Sequence, residues 1–440
     1  MRYKKVISLF SAALFSALTL VGCGTPRISD TVIEGTDPDV TRIVAPGADQ
    51  TPSDTNAVTS GNAGTTGTTA GTTAAVTTAA DTTASGNASV QPSDGVIHFI
   101  AAGDNIIHEN VYTDARNRAK DGQDYDFIDM YTDIADFVKS ADLAFVNQET
   151  PLGGDELGIS GYPNFNGPQA AGKALVDLGF DIVNIATNHM LDKKEAGLKG
   201  HIDFWNSQPV TLLGGYYDKD DYENIRVVEK NGIKIAFLTY TYGLNGMTLP
   251  ASSKIYIPLI DSAEITRMIG KAKNLADMVF VVMHWGTDGS TVVTDEQKSL
   301  AKTISEAGAD AIIGMHSHTL QPVEWHANPD GSRTLVIYSL GNLISTQYEN
   351  YTMVGGIMSF DVVKDSSGCR IENPVMNPVV THYNKERLGL QVYLLKDYTK
   401  ELAAAHGTVN YGKDKTFSLD YIDKLVKKAV SDEFLPDFMK

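Results

Sequence analysis

Residues 278–286 read Met-Val-Phe-Val-Val-Met-His-Trp-Gly. The six apolar residues that open this stretch, three of them valine, are too short a run for a helix. They read as a strand buried on both faces, as in a parallel sheet covered by helices. The run stops at His284. On either side the pattern turns helical: residues 261–276, with Asp261 or Ser262 as N-cap, and residues 294–307, entered through Thr294-Asp295-Glu296. Residues 309–313 form another short apolar strand, ending in Gly314-Met315-His316-Ser317-His318.

The same alternation extends outward. Upstream, strands are predicted at 96–102, 143–146, 181–186, 210–213, 225–229 and 233–239, with helices at 126–139, 170–178 and 195–206. Downstream, strands are predicted at 322–326, 334–339 and 356–363. Strands alternating with helices predict α/β layers with much parallel sheet. The run of late strands predicts a second sheet rather than one doubly wound sheet.

Polar residues able to bind metal close one strand after another: Asp104, Glu149, Asn188-His189, His284, then His316 and His318. In open α/β sheets, ligands sit outside the carboxyl ends of strands. Converging on one rim, these residues would assemble a mixed carboxylate, amide and imidazole set. That set suits Mn, Fe or Zn and not calcium, which takes oxygen ligands. His316 and His318, two apart on an extended segment, would point to one side and reach one site. Gly103, Gly286 and Gly314 allow tight turns or close backbone approach beside it.

The rest of the chain bounds the function. The chain is 440 residues long, with a formal charge of −18. Residues 1–23 read as a targeting segment: Arg2, Lys4 and Lys5, a short apolar core, then Leu20-Val21-Gly22-Cys23. In residues 56–90, 28 of 35 are Thr, Ala, Gly or Ser, with no aromatic. Such a segment cannot offset its ordering entropy, so residues 24–95 read as a disordered tether spanning about 45–50 Å r.m.s.. The first segment carries +3 and the tether −6, which leaves −15 on residues 96–440. That acidity excludes a nucleic-acid binder. Two cysteines exclude a disulfide framework, and Cys369 reads as a lone thiol beside a turn. There is no P-loop, no G-x-G-x-x-G after the first strand, and no G-x-S-x-G around Ser339 or Ser345. Arg116, Arg118 and Lys173 read as solvated surface. Trp285 either walls a pocket or packs in the core. Residues 398–405 and 419–430 have helical spacing and read as a small C-terminal appendage.

The ordered motifs resemble one family. Gly103-Asp104, Asn147-x-Glu149, Asn188-His189-x-x-Asp192, His284-Trp285-Gly286, Gly314-x-His316-x-His318 and Ser339-Leu340-Gly341-Asn342 together look like the CapA-type poly-γ-glutamate capsule biosynthesis proteins, within the calcineurin-like metallophosphoesterase superfamily. The Cys23 segment likewise resembles a bacterial lipoprotein signal, in which that cysteine is lipidated. The resemblance implies an α/β fold, a four-layer αββα sandwich of metallophosphoesterase type. It divides the chain into a lipoprotein signal peptide (1–23), a linker (24–95), the CapA domain (96–385) and a helical extension (386–440). It implies an extracytoplasmic cell-membrane lipoprotein working with capsule synthesis or export proteins.

By the same resemblance, one or two divalent ions would be held by Asp104, Glu149 (at the place of a bridging Asp), Asn188, His284, His316 and His318. His189 would act as general acid, oriented by Asp192. Some positions depart from the pattern. Ile106 stands where phosphoesterases have His, and His108 can substitute only if the loop turns back. Ser317, Asp288 and Lys194 replace a usual Pro, Glu and Gly. Two functions follow as expectations. One is an envelope protein for the synthesis or export of poly-γ-glutamate or a related anionic polymer. The other is a metal-dependent hydrolase of a phosphoester or amide. A −15 domain repels a polyanion over a Debye length, so metal ions and a local basic pocket would have to supply the attraction.

Overall fold

The computed structural model describes residues 95–440. The signal segment 1–23, Cys23 and residues 24–94 of the tether lie outside the described residues. Gly95 opens the first strand, β1 (Gly95–Asn105). It is followed by α1 (Glu109–Arg118), α2 (Thr132–Lys139), β2 (Leu143–Gln148), α3 (Gln169–Leu178), β3 (Ile182–Asn184), α4 (Lys194–Asn206) and β4 (Thr211–Leu213). The short helix α5 (Lys219–Glu223) leads to β5 (Arg226–Lys230), β6 (Ile233–Thr241), α6 (Ser262–Ala272), β7 (Met278–His284), α7 (Asp295–Ala307) and β8 (Ala311–Met315). Then come β9 (Val323–Ala327), β10 (Arg333–Ile337), β11 (Asn342–Ile344) and the hairpin of β12 (Val354–Asp365) with β13 (Gly368–His382). The chain ends with β14 (Gln391–Leu394), α8 (Lys400–Ala405) and α9 (Leu419–Ala429).

The strands form two sheets. One runs β14-β13-β12-β1-β2-β3-β4, with β11 paired to β1; the other runs β5-β6-β7-β8-β10-β9. Side-chain alternation stacks them into four layers. In β7, Met278, Phe280 and Val282 join the core shared with the first sheet. Val279, Val281 and Met283 join a separate core with Ile265, Met268 and Ile269 of α6 and Ala301 and Ile304 of α7. Each strand of this kind is buried on both faces, which is why it reads as an unbroken apolar run. Between the sheets Phe99 lies 5.0 Å from Phe360 and edge-on to Phe280 at 5.4 Å. Aromatic pairs of this sort add about 0.5–1.5 kcal/mol each beyond their buried area. The expected αββα sandwich is the fold observed.

The helix starts follow the sequence. Thr294 and Gln297 close a reciprocal capping box on α7, and Asp261 caps α6 by accepting from the Glu264 N–H. The C-terminal side holds more sheet than the sequence predicts. β14 lies beyond residue 385 and pairs with β13, so the 386–440 segment contributes a strand as well as helices. β13 contains Pro374 and Pro378, which argue against a strand in sequence. It tolerates them because β14 pairs only with Val379–His382, leaving the proline stretch at the edge of the sheet. Helix α1 also escaped prediction. Only Val111, Asp114 and Ala115 are buried on it, and Asp114 is held by the Gly389 and Leu390 N–H groups.

Candidate metal centre

Strands β1, β2 and β3 run parallel in one sheet, and β6, β7 and β8 run parallel in the other. The residues that close them meet at one rim between the sheets. Asp104 ends β1, Glu149 follows β2, Asn188 follows β3, His284 ends β7, and His316 and His318 follow β8. All six are buried. Ligand-type atoms of Glu149, His316 and His318 lie within 4.8 Å of one another, and so do those of Asp104, Glu149 and His284. The two groups share Glu149.

The sequence argument for the last two histidines needs correcting. They do not alternate along an extended segment: His316 has φ 95° and His318 φ 57°. Left-handed backbone at non-glycine residues is costly and persists where surrounding structure imposes it. Here it turns both rings into the site, with His316 4.7 Å from the His284 ring and 5.9 Å from His318.

Hydrogen bonds orient the side chains. Asn147 Nδ2 donates to Asp104 Oδ1 (2.8 Å), Asn184 Nδ2 to Asn147 Oδ1 (2.7 Å), and Thr239 Oγ1 to Asn184 Oδ1 (2.6 Å). A carboxylate only accepts, so the direction of the whole chain follows from Asp104. The other oxygen, Asp104 Oδ2, lies 3.0 Å from His318 Nδ1. Asn188 donates Nδ2 to Asn245 Oδ1 (3.0 Å), which leaves its Oδ1 facing His284 Nε2 (2.9 Å). Asn245 was missed in the sequence. The rule that singled out the candidate ligands, a polar residue past the end of a parallel strand, would have found it after β6.

The chemistry of this set fits divalent ions. Glu149 Oε2, His284 Nδ1 and His316 Nδ1 are buried without a hydrogen-bond partner. Leaving such atoms unsatisfied costs about 1–3 kcal/mol each, a penalty that a bound cation removes. Burial pushes Glu149 well above the ordinary carboxylate range, and Asp104 and Asp288 push the same way. Burial opposes protonation of His318, but Glu149, Asp288 and Asp104 overcome it and raise that histidine well above its ordinary 6.5. Burial and the neighbouring histidines depress His284 and His316. The carboxylates around His318 thus favour positive charge at the centre.

The His318 proton stabilises the metal-free fold fully below pH 6.5, and that contribution is lost as pH rises through the raised folded value. Metal needs the deprotonated ring. Manganese is therefore expected to raise Tm more at about pH 8 than at about pH 5.5. Calorimetric scans with and without MnCl2 at both pH values check this, and an equal or smaller shift at the higher pH would contradict it.

A cavity opens beside the ligands. It is lined by His189, Asn188, Asn245, Glu149, Asp288, His316 and His318, with Tyr162, Phe165, Tyr242, Ile106, His108 and Gln347 completing the wall. His189 Nδ1 lies 2.8 Å from Asp192 Oδ2, which also accepts the Phe165 N–H at 2.7 Å. Phe165 sets its ring edge-on to His189 at 4.8 Å. The loop after β1 does turn back, bringing His108 to this wall. His108 falls outside both ligand groups. Burial, then Arg387, His318 and His189, push it down to about 3. Asp288 comes within 4.0 Å of His318. Trp285 is not a pocket wall: it packs in the outer core and donates Nε1 to Tyr338 O. Cys369 is a free, partly buried thiol.

A family model for the bacterial capsule synthesis protein PGA_cap matches residues 98–347, more than half of the chain. The chain is 32% identical over 273 residues to the PGA biosynthesis protein CapA of Bacillus subtilis (strain 168), covering 58% of this chain and 66% of that protein. It is 27% identical over 238 residues to the capsule biosynthesis protein CapA of Bacillus anthracis, covering 52% of this chain and 56% of that protein. The chain thus spans less than two thirds of the length of these relatives. Among solved structures, the calcineurin-like phosphoesterase YfkN from Bacillus subtilis superposes with a TM-score of 0.40 at 13% identity, covering 76% of this chain and 97% of that one.

Proposed function

The chain belongs to the bacterial capsule synthesis protein family PGA_cap, and from that membership we propose that it serves capsular polymer synthesis or export in the cell envelope, with its rim site acting as a metal-dependent hydrolase. The observation that carries the hydrolase reading is His189, paired with Asp192, at the wall of a cavity that is also lined by Glu149, His316 and His318, one of the two candidate ligand groups that share Glu149. The polymer is poly-γ-glutamate or a related anion, and the bond cleaved is an amide or a phosphoester. The domain works outside the cytoplasm, tethered through residues 24–95 to a lipid on Cys23. Support for that placement is the basic, apolar and cysteine pattern of residues 1–23. Its partners are capsule synthesis or export proteins, and nucleic acid is not among them.

Asp104, Glu149, His284, His316, His318 and the Asn188 Oδ1 would hold one or two ions of Mn, Fe or Zn. Bound there, a divalent ion supplies Lewis-acid polarisation of a substrate oxygen and a water nucleophile at neutral pH. The protein's own groups do the rest. Asn245 fixes the Asn188 amide so that its oxygen, not its nitrogen, faces the centre. Asp192 accepts the His189 Nδ1–H, leaving His189 Nε2 to give a proton to the leaving group. Phe165 packs edge-on against the His189 ring and helps to hold its orientation.

Turnover of bis-(p-nitrophenyl) phosphate and of γ-glutamyl-p-nitroanilide by the manganese-loaded protein tests this reading. His189→Ala is expected to lower turnover of whichever probe is cleaved by about 10²–10³-fold, with metal content unchanged. Metal binding with no turnover of either probe would leave the protein an accessory of polymer assembly rather than an enzyme.

A further inference from the structure

The cavity wall includes His108, on the loop between β1 and α1. The backbone N–H of Thr346 donates to His108 Nδ1 at 3.3 Å. An imidazole nitrogen that accepts cannot carry the proton, so the neutral ring carries it on Nε2. Nε2–H is then the polar group His108 offers to a ligand in the cavity. It is a donor, not a metal ligand.

The same Thr346 ties in a cation. Its carbonyl accepts from Arg387 Nη2. The Arg387 guanidinium lies over the Tyr348 ring at 4.4 Å, and its Nε is buried with no hydrogen-bond partner. Arg387 sits between β13 and β14 at φ 59°, a strained conformation for arginine. One peptide unit on either side of Thr346 therefore fixes the ring of His108 and anchors the charge of Arg387. Gln347 continues this wall.

We propose that His108 is a substrate-binding residue: its Nε2–H receives an oxyanion, carboxylate or phosphoryl, of the substrate bound beside the metal centre, with Arg387 as the positioning residue behind it. This rests on the hydrolase reading above and sharpens its substrate class to one bearing an anionic oxygen close to the scissile bond. It also locates the donor wall that an acidic domain needs to hold an anionic ligand.

Binding of inorganic phosphate and of glutarate to the manganese-loaded full chain, measured by titration calorimetry, tests the proposal and separates the two oxyanion sources. His108→Phe keeps a ring against Phe165 but removes the donor, and is expected to weaken the preferred anion roughly ten- to hundred-fold. His108→Gln restores an N–H and is expected to recover part of that loss. Manganese stoichiometry should stay at the wild-type value in both, while His108→Phe, which leaves the buried Thr346 N–H without its acceptor, should lower Tm modestly. Equal anion affinity in wild type and His108→Phe overturns the proposal, as does His108→Gln binding no better than His108→Phe. A wild type that takes up manganese but neither anion overturns it too, leaving the metal centre standing. If wild type takes up no manganese, the hydrolase reading fails, and anion binding still lost in His108→Phe would uphold the subsite alone.

Discussion

Replacing His284 and His316 together by alanine is expected to strip the protein of its divalent metal. His284 belongs to the ligand group with Asp104 and Glu149, and His316 to the group with His318 and Glu149. One substitution from each group breaks both while leaving the shared carboxylate in place. The loss should exceed the roughly 10–100-fold typical of removing an outer hydrogen-bond partner. The fold itself should survive, because both rings are cut back at the rim and each carries a buried Nδ1 without a partner. Elemental analysis of the purified double variant checks the metal. In wild type, manganese at about a hundred times its Kd should add about 2.7 kcal/mol of stability by mass action. That increment should be absent from the double variant. Metal content equal to wild type would overturn the assignment of the centre.

Gly103→Ala is expected to be the most damaging single-methyl change at the rim. A Cβ at Gly103 would lie 1.9 Å from the Gly341 carbonyl oxygen and 3.1 Å from Leu340 Cβ. The nearest obstacle is backbone, and the same Gly341 oxygen accepts the Asp104 N–H at 2.9 Å. No side-chain rotation relieves the clash, so β1 must move away from the 339–344 segment and carry Asp104 with it. A cost of about 3 kcal/mol or more in unfolding free energy is expected, with loss of metal. Gly270→Ala is the matched control. It lies on the exposed face of α6 with nothing within 4 Å of a new Cβ, and should be neutral or stabilising by up to about 1 kcal/mol. Urea denaturation of both variants checks the pair, and a Gly103→Ala midpoint at the wild-type value would refute the packing argument.

These two predictions also mark how far the sequence could be read. His284 and Asp104 were legible because each closes an apolar run at its carboxyl end, where ligands sit in open α/β sheets. The amphipathic helices and the caps at Asp261 and Thr294 were legible for the same local reason. Arg387 was assigned no role, since it sits in a loop whose course no periodicity encodes; His108 was weighed only as a substitute ligand should its loop turn back, and Asn245 was passed over although it follows β6. The β13 strand escaped because Pro374 and Pro378 break the pattern, and only the edge position of that stretch makes them tolerable; β14 is only four residues long.

By itself the sequence determined which residues become buried strands, which faces the helices turn inward, and which polar groups close the strands. Those are consequences of period and composition over a few residues. The tertiary structure alone decided that ends from two different sheets face one another across one rim. It also decided that His316 and His318 reach the centre through left-handed backbone, and that Thr346, 238 positions from His108, sets the tautomer of that ring. The physical reason is that hydrophobic patterning is local, whereas the direction of a hydrogen bond at the rim depends on partners the chain brings together only when both sheets have packed.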